Sequence, residues 1–163
     1  MAVAIPASSG LDGVLSATLR AAGIPFHVSR KDSAYRHGLC RMLNSSVKAA
    51  AYGLRREDMI NAARSGFTLL SPEEAMRLEI YCIEENIYGS HWEEPFTHGK
   101  NAEEAESLRQ RLVGPILRLR EALRGARNAD DSLTAVFTLL EETGAYEKLE
   151  AREEKLLAEG MTA

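Results

Sequence analysis

The chain has 163 residues, of which 45% are hydrophobic and 27% charged; this suits one domain with its own core, with room for a small appendage at most. No run of about 18 apolar residues occurs, so no membrane-spanning helix is expected. Twenty basic and 24 acidic side chains leave a net charge of −4. They are mixed along the sequence, so no global field draws in nucleic acid or anionic membranes, and any nucleic-acid contact has to be local.

From Val3 to Ser29 the order is apolar strand, helix, apolar strand: "VAIPAS", "LDGVLSATLRAAG", "IPFHVS". The helical part puts Val14, Leu15, Leu19 and Ala22 on one side and is predicted to stop at Gly23. Two strands cannot close a core, so this β-α-β unit needs partners beyond itself. After "RKDS" the pattern is helical to the end. A helix over about 34–51 carries Leu39, Met42, Leu43 and Val47 at helical spacing, and "REDMINAARSG" is a short second one.

Ser71 followed by Glu74 is a capping box with Pro72 at the first helical position, and it predicts a helix start. Met76, Ile80, Ile83 and Ile87 make one apolar stripe, and Leu78, Tyr81 and Cys82 supply apolar content on the other side, which predicts burial on more than one face. The loop "EEPFTHGKN" leads to a long helix over about 102–126 with Leu108, Leu112, Ile116, Leu119, Leu123 and Ala126 inward. Gly114-Pro115 in its middle predicts two rods at an angle. "DDSLTAVFTLLEETG" is a further helix, capped by Asp130 or Asp131, with Leu133, Val136, Phe137 and Leu140 inward and a stop at Gly144. A charged helical tail runs from Tyr146 to Glu159.

Catalytic signals are few. None of the twelve glycines stands in a phosphate-binding pattern, and no HExxH, GxSxG or EF-hand loop is present. Glu153 and Lys155 have the ExK spacing of metal-dependent nucleases, but on a charged helical segment, where a solvated face is expected. Cys40 and Cys82 are far apart and outside any CxxC spacing, which predicts two reduced, packed thiols. His91 and His98 flank Trp92 and the polar residues Glu93, Glu94 and Thr97, but their spacing fits no metal loop. Trp92 is therefore expected to anchor the loop to the core. His27 and His37 carry no signal. Stepping about 100° per residue from Leu112 places Arg109, Arg120, Arg124 and Arg127 on one flank of an unkinked helix, a row suited to a phosphate backbone; Glu106 and Glu121 would partly neutralise it. The N-terminus shows neither the basic nor the apolar part of a signal peptide, which predicts a cytoplasmic location.

Three stretches together resemble one family. "VAIPASSGLDGVLSATLRAAGIPFHVSRKDS" is similar to the start of the second motor domain in superfamily 1 helicases of the UvrD and RecB kind. "LLSPEEAMRLEIYCIEENIYGSHW", after "ARSGF", resembles a block in the B subunit of bacterial AddAB helicase-nucleases, with "RLEIY", "NIYG" and "HW" in the family's places. "LRQRLVGPILRLREALRGARNADDSLTAVFTLLEETGAYEKLE" resembles the helical insertion of the same proteins. The resemblance implies an internal segment. Residues 1–33 would begin the second motor-like domain, and 34–163 would be a mainly α, bundle-like inserted domain of the 2B kind. It also implies a parent that uses ATP and Mg²⁺, carries an iron–sulfur cluster, pairs with an A subunit and processes double-strand DNA ends for recombinational repair. No position here matches the family's Walker, metal-ligand or cluster-cysteine residues, so no catalytic, cofactor or metal residue is carried over. The segment itself is expected to be a non-catalytic scaffold that contacts DNA. The competing expectation is a free-standing helical interaction module without a DNA role.

Overall fold

The computed structural model describes residues 11–27 and 34–158. The chain divides into two compact units between Ser33 and Ala34. Among the described residues there are seven α-helices, two 3-10 turns and no strand, so the protein is mainly α as expected.

In the first unit, α1 (Leu11–Ala21) occupies the stretch predicted helical. It stops at Gly23, and the Gly23 and Ile24 amides donate back to the Arg20 and Leu19 carbonyls. Leu15 and Leu19 are half-buried while Val14 is exposed. The β-α-β expectation is not met. Its first strand lies outside the described residues, and of the second, residues 24–27 are irregular. A strand persists only as a member of a hydrogen-bonded ladder, and no described residue offers 24–27 an edge.

The second unit is a helical bundle. A 3-10 turn at Ala34–Arg36 leads into α2 (Gly38–Tyr52), followed by α3 (Arg56–Ala63), α4 (Pro72–Glu84), a 3-10 turn at Gly89–Glu93, α5 (Ala102–Gly125), α6 (Ala129–Glu142) and α7 (Ala145–Ala158). The central helix is α5, which packs on α2, α4 and α6 and supplies Leu108, Leu112, Val113, Ile116 and Leu119 to the core.

On α2 the fully buried side chains are Met42, Ser45, Ser46, Ala49 and Ala50, whereas Leu39, Leu43 and Val47 pack at the margin. Small residues on this face let α3 and α5 approach closely. Close approach also fixes Gly38, where a Cβ would lie 2.5 Å from the Ser65 carbonyl oxygen and 2.9 Å from the Phe67 ring. Gly53 ends α2 in the left-handed region at φ +89° and returns its amide to the Ala49 carbonyl.

The predicted capping box is present: Ser71 Oγ accepts from the Glu74 amide, and the Glu74 carboxylate accepts from the Ser71 amide at 2.7 Å. The inward face of α4 differs from the expected stripe. Ala75, Leu78, Tyr81 and Cys82 are buried, while Met76, Ile80 and Ile83 are 55%, 49% and 62% exposed; only Ile87, beyond the helix, is buried. Both sides of α4 are apolar, and the side bearing Ala75 and Cys82 allows the tighter fit against α3 and α5.

The two rods expected at Gly114-Pro115 are one helix with Pro115 inside it. A mid-helix proline costs about 3 kcal/mol. Here the side chains on both sides of it enter one core, which offsets that penalty. On α6 the cap is Asn128, whose side chain accepts from the Asp131 amide, in place of the predicted Asp130 or Asp131. Asp131 instead accepts from the Arg127 amide. Leu140 is inward as expected and Val136 half-buried, but Leu133 and Phe137 are exposed and Ala135 and Leu139 take their place. The helix ends at Thr143-Gly144, as predicted.

Ser71→Ala should lower stability by about 1 kcal/mol, the usual loss for an N-cap hydroxyl. Urea unfolding should show a lower midpoint with an unchanged slope.

Candidate functional site

The segment from Tyr88 to Lys100 is strapped onto α5 by an aromatic anchor, by backbone hydrogen bonds to Arg109 and Glu106, and by one ion pair, Glu93–Arg120. The turn at Gly89–Glu93 carries Trp92 into the core, where it is 0% exposed, and Phe96 follows it in. The Trp92 and Phe96 rings lie 5.8 Å apart, and Phe96 stacks on Tyr81 at 5.1 Å. Tyr81 Oη donates to the His98 carbonyl at 2.5 Å, and burial pushes that phenol above its ordinary pKa. Trp92 is therefore an anchor, as its sequence context predicts.

Arg109 ties this strap to the helix. Its Nη1 donates to the Trp92 carbonyl at 2.8 Å, and its Nε and Nη2 donate to the two carboxylate oxygens of Glu106, each at 2.6 Å. Glu106 also accepts from the Phe96 amide at 2.7 Å, and the Arg109 guanidinium lies 5.6 Å from the Phe96 ring centre. The hydrogen bonds from Arg109, with those from the Phe96 amide and Gln110, hold the Glu106 carboxyl down at about 2. Further along α5, Arg120 donates to both oxygens of Glu93 at 2.8 Å, which lowers the Glu93 pKa.

These bonds decide where the predicted arginine row stands. Arg109 is 9% exposed and its donors are engaged inside the domain. The Arg120 side chain is 13% exposed and paired with Glu93. Arg124 is exposed, with Glu121 as its partner at 3.1 Å, and Arg127 is exposed beyond the end of α5. The four guanidiniums therefore do not stand together as one solvent-facing row. Of the opposite flank, Arg111 bridges to Glu74 and the Leu69 carbonyl, and Arg118 to Glu142. The Glu106–Arg109 and Glu121–Arg124 spacings of three are the sequence signals for local pairs; the Glu93–Arg120 and Glu74–Arg111 pairs are tertiary.

The remaining candidates do not assemble. His91 and His98 are exposed; the His91 ring packs on Tyr88 at 4.6 Å, and His98 contributes its carbonyl. His37 caps α2 by accepting from the Leu39 amide, and His27 is exposed. Glu153 and Lys155 are exposed on α7. Cys82 is fully buried, and desolvation pushes its thiol up to about 12, while Cys40 is half-buried. An iron–sulfur cluster takes four thiolates. Two cysteines in different settings do not fit it, and no glycine-rich turn here suits a nucleotide phosphate. Among the described residues no group of three or more His, Cys, Asp or Glu side chains is placed to hold a metal ion, and no helix is long and apolar enough to cross a membrane.

Fold and site together define a helical domain whose buried charges serve its own architecture. Its similarity to known proteins is confined to part of much longer chains. The chain is 26% identical over 176 residues to the B subunit of the ATP-dependent helicase/deoxyribonuclease of Alkaliphilus metalliredigens, 91% of this chain and 15% of the relative. It is 26% identical to the protein of the same name from Acetivibrio thermocellus, over 93% of this chain and 15% of the relative. The Bacillus licheniformis protein of that name is 28% identical over 84% of this chain. The resemblance drawn from "RLEIY", "NIYG", "HW" and the α5 block is upheld by these matches. The chain spans about 15% of the length of the curated relatives it matches. No protein-family model matches it.

Glu106 yields a pH prediction. Its carboxyl sits at about 2 in the folded domain against an ordinary 4.5, so its contribution is complete above pH 4.5 and is lost as pH falls towards 2. That gap corresponds to roughly 3 kcal/mol. Unfolding free energies measured between pH 5 and 2 should decline accordingly, and Glu106→Gln should flatten that part of the profile while lowering stability at pH 7 by about 3 kcal/mol, because Arg109 is left buried and unpaired.

Proposed function

We propose that this chain is an internal helical segment of the B subunit of an ATP-dependent helicase/deoxyribonuclease and acts there as a non-catalytic scaffold. The observation that carries the proposal is the match of 84–93% of the chain to relatives bearing that one name. In that setting residues 34–163 are a domain inserted into the second motor-like domain, and residues 1–33 belong to the start of that motor-like domain. ATP, Mg²⁺ and the iron–sulfur cluster belong to other parts of the parent, which works with its A subunit in the cytoplasm on double-strand DNA ends during recombinational repair. The helical core supports the scaffold role: its buried ionisable groups brace the strap and the helix ends.

DNA contact, as part of the same proposal, falls to the exposed end of α5. Arg124 and Arg127 are exposed there, with Glu121 beside Arg124 and the Asp131 carboxylate on the Arg127 amide as the near negative charges, while Arg109 and Arg120 brace the Trp92 segment behind them. Two phosphate contacts would give a salt dependence of about −2 in log affinity against log salt, and no sequence preference.

The purified 163-residue chain should hydrolyse no ATP and cleave no DNA in Mg²⁺ or Mn²⁺. Turnover of either kind, retained through chromatography and proportional to protein, would overturn the scaffold assignment. In anisotropy titrations with a duplex end, Arg124→Ala with Arg127→Ala should reduce the salt slope by about 2, and a slope unchanged by the pair removes these arginines from the contact.

A further inference from the structure

The outer face of α4 presents Met76, Ile80 and Ile83 at the i, i+4, i+7 spacing of one helical stripe, each about half exposed or more. A hollow of about 160 Å³ opens beside Ile80, between α4 and the first turns of α5. Tyr81, Ala105 and Leu108 line it together with Ile80, and the Arg77–Glu104 ion pair, 2.8 Å, spans the two helices at its rim. The stripe and the hollow therefore form one apolar surface with a side-chain-sized recess.

The charges around this surface select its occupant. Glu73 and Glu84 stand at the two ends of the stripe, and Glu103 and Glu104 occupy the first turn of α5. Against these four carboxylates stand Arg77, already held by Glu104, and Lys100. Among the described residues neither Glu73, Glu84 nor Glu103 forms an ion pair with a basic side chain. An acidic rim repels a phosphate backbone and an anionic lipid surface. A second copy of the same face would set carboxylates against carboxylates.

We propose that the Met76–Ile80–Ile83 face of α4, with the adjoining hollow, is a docking groove for a basic amphipathic helix of a protein partner. The partner helix lays its apolar stripe along α4 and seats one large aliphatic side chain in the recess over Tyr81 and Leu108. Its Lys or Arg flanks meet Glu73, Glu84 and Glu103. This is the helix-in-groove mode of recognition, in which spaced apolar anchors give affinity and flanking charge gives selectivity. The inference stands apart from the helicase-nuclease assignment, since it needs only the groove and its rim.

The test uses the 163-residue chain and two labelled helical peptides of about 18 residues, five turns. Both carry Leu at i, i+4, i+7 repeats; one is flanked by Lys, the other by Glu. The Lys peptide should bind saturably and weaken with added salt, and the Glu peptide should bind about tenfold or more weakly. Ile80→Ser with Ile83→Ser should reduce Lys-peptide affinity by about tenfold or more, with unfolding midpoint and far-ultraviolet circular dichroism unchanged because both side chains are exposed. Leu133→Ser with Phe137→Ser, on the exposed side of α6, should leave affinity unchanged. Equal binding of the two peptides, or wild-type affinity in the Ile80/Ile83 variant, overturns the proposal. So does a concentration-dependent dimer, or adsorption to anionic vesicles, that the same variant abolishes.

Discussion

The Arg109 guanidinium gathers three groups from α5 and the strap: the carbonyl of Trp92, the carboxylate of Glu106 and the ring of Phe96. A buried guanidinium is tolerable only when its donors are satisfied and its charge is matched. Here Glu106 supplies both oxygens one turn back on the same helix and also takes the Phe96 amide. The strap between α4 and α5 is thus set in place by α5 itself. Further along, Arg120 of α5 pairs directly with Glu93 of the strap. With the strap down, Trp92 is buried in the core, and α4 lies against α5 with its other apolar side turned outward.

That arrangement changes what the charges of α5 mean. A sequence of this kind invites a phosphate-binding row, because arginines recur at helical spacing on a face flanking the buried one. In the folded domain the carboxylates of the strap and of α4 and α5 claim Arg109, Arg120 and Arg111, and α6 claims Arg118 through Glu142. Arg118 and Arg124 are exposed but each has a carboxylate partner, Glu142 and Glu121, and Arg127 is exposed beyond the helix end. Positive charge on α5 therefore acts first as internal bracing.

Local signals were legible where one residue type satisfies one backbone need: the Ser71–Glu74 box, Pro72 behind it, and the helix stops at Gly23 and Gly144. Helix positions followed from periodicity for the same reason. The choice of buried face did not, since α4 and α6 each carry two apolar sides and only the fit against neighbours decides between them. Ala75 and Cys82 went inward while the larger Met76 and Ile80 stayed out; Ala135 displaced Leu133 in the same way. Pro115 misled because its local penalty is smaller than the packing on either side of it. Of the candidate site, the anchoring role of Trp92 was readable from its polar, partnerless surroundings, whereas the Glu93–Arg120 and Glu74–Arg111 pairs join residues far apart in sequence and leave no local trace.

The strap depends on Arg109 as a structural residue rather than a phosphate ligand. Arg109→Met keeps the stem and removes the charge, leaving the Trp92 carbonyl and the Glu106 carboxylate without their donor. Equilibrium unfolding of this variant, read by Trp92 fluorescence, should show a loss of about 3 kcal/mol at pH 7, with Trp92 more exposed to quencher below the transition. Wild-type stability and an unmoved Trp92, together with weakened DNA binding, would contradict it.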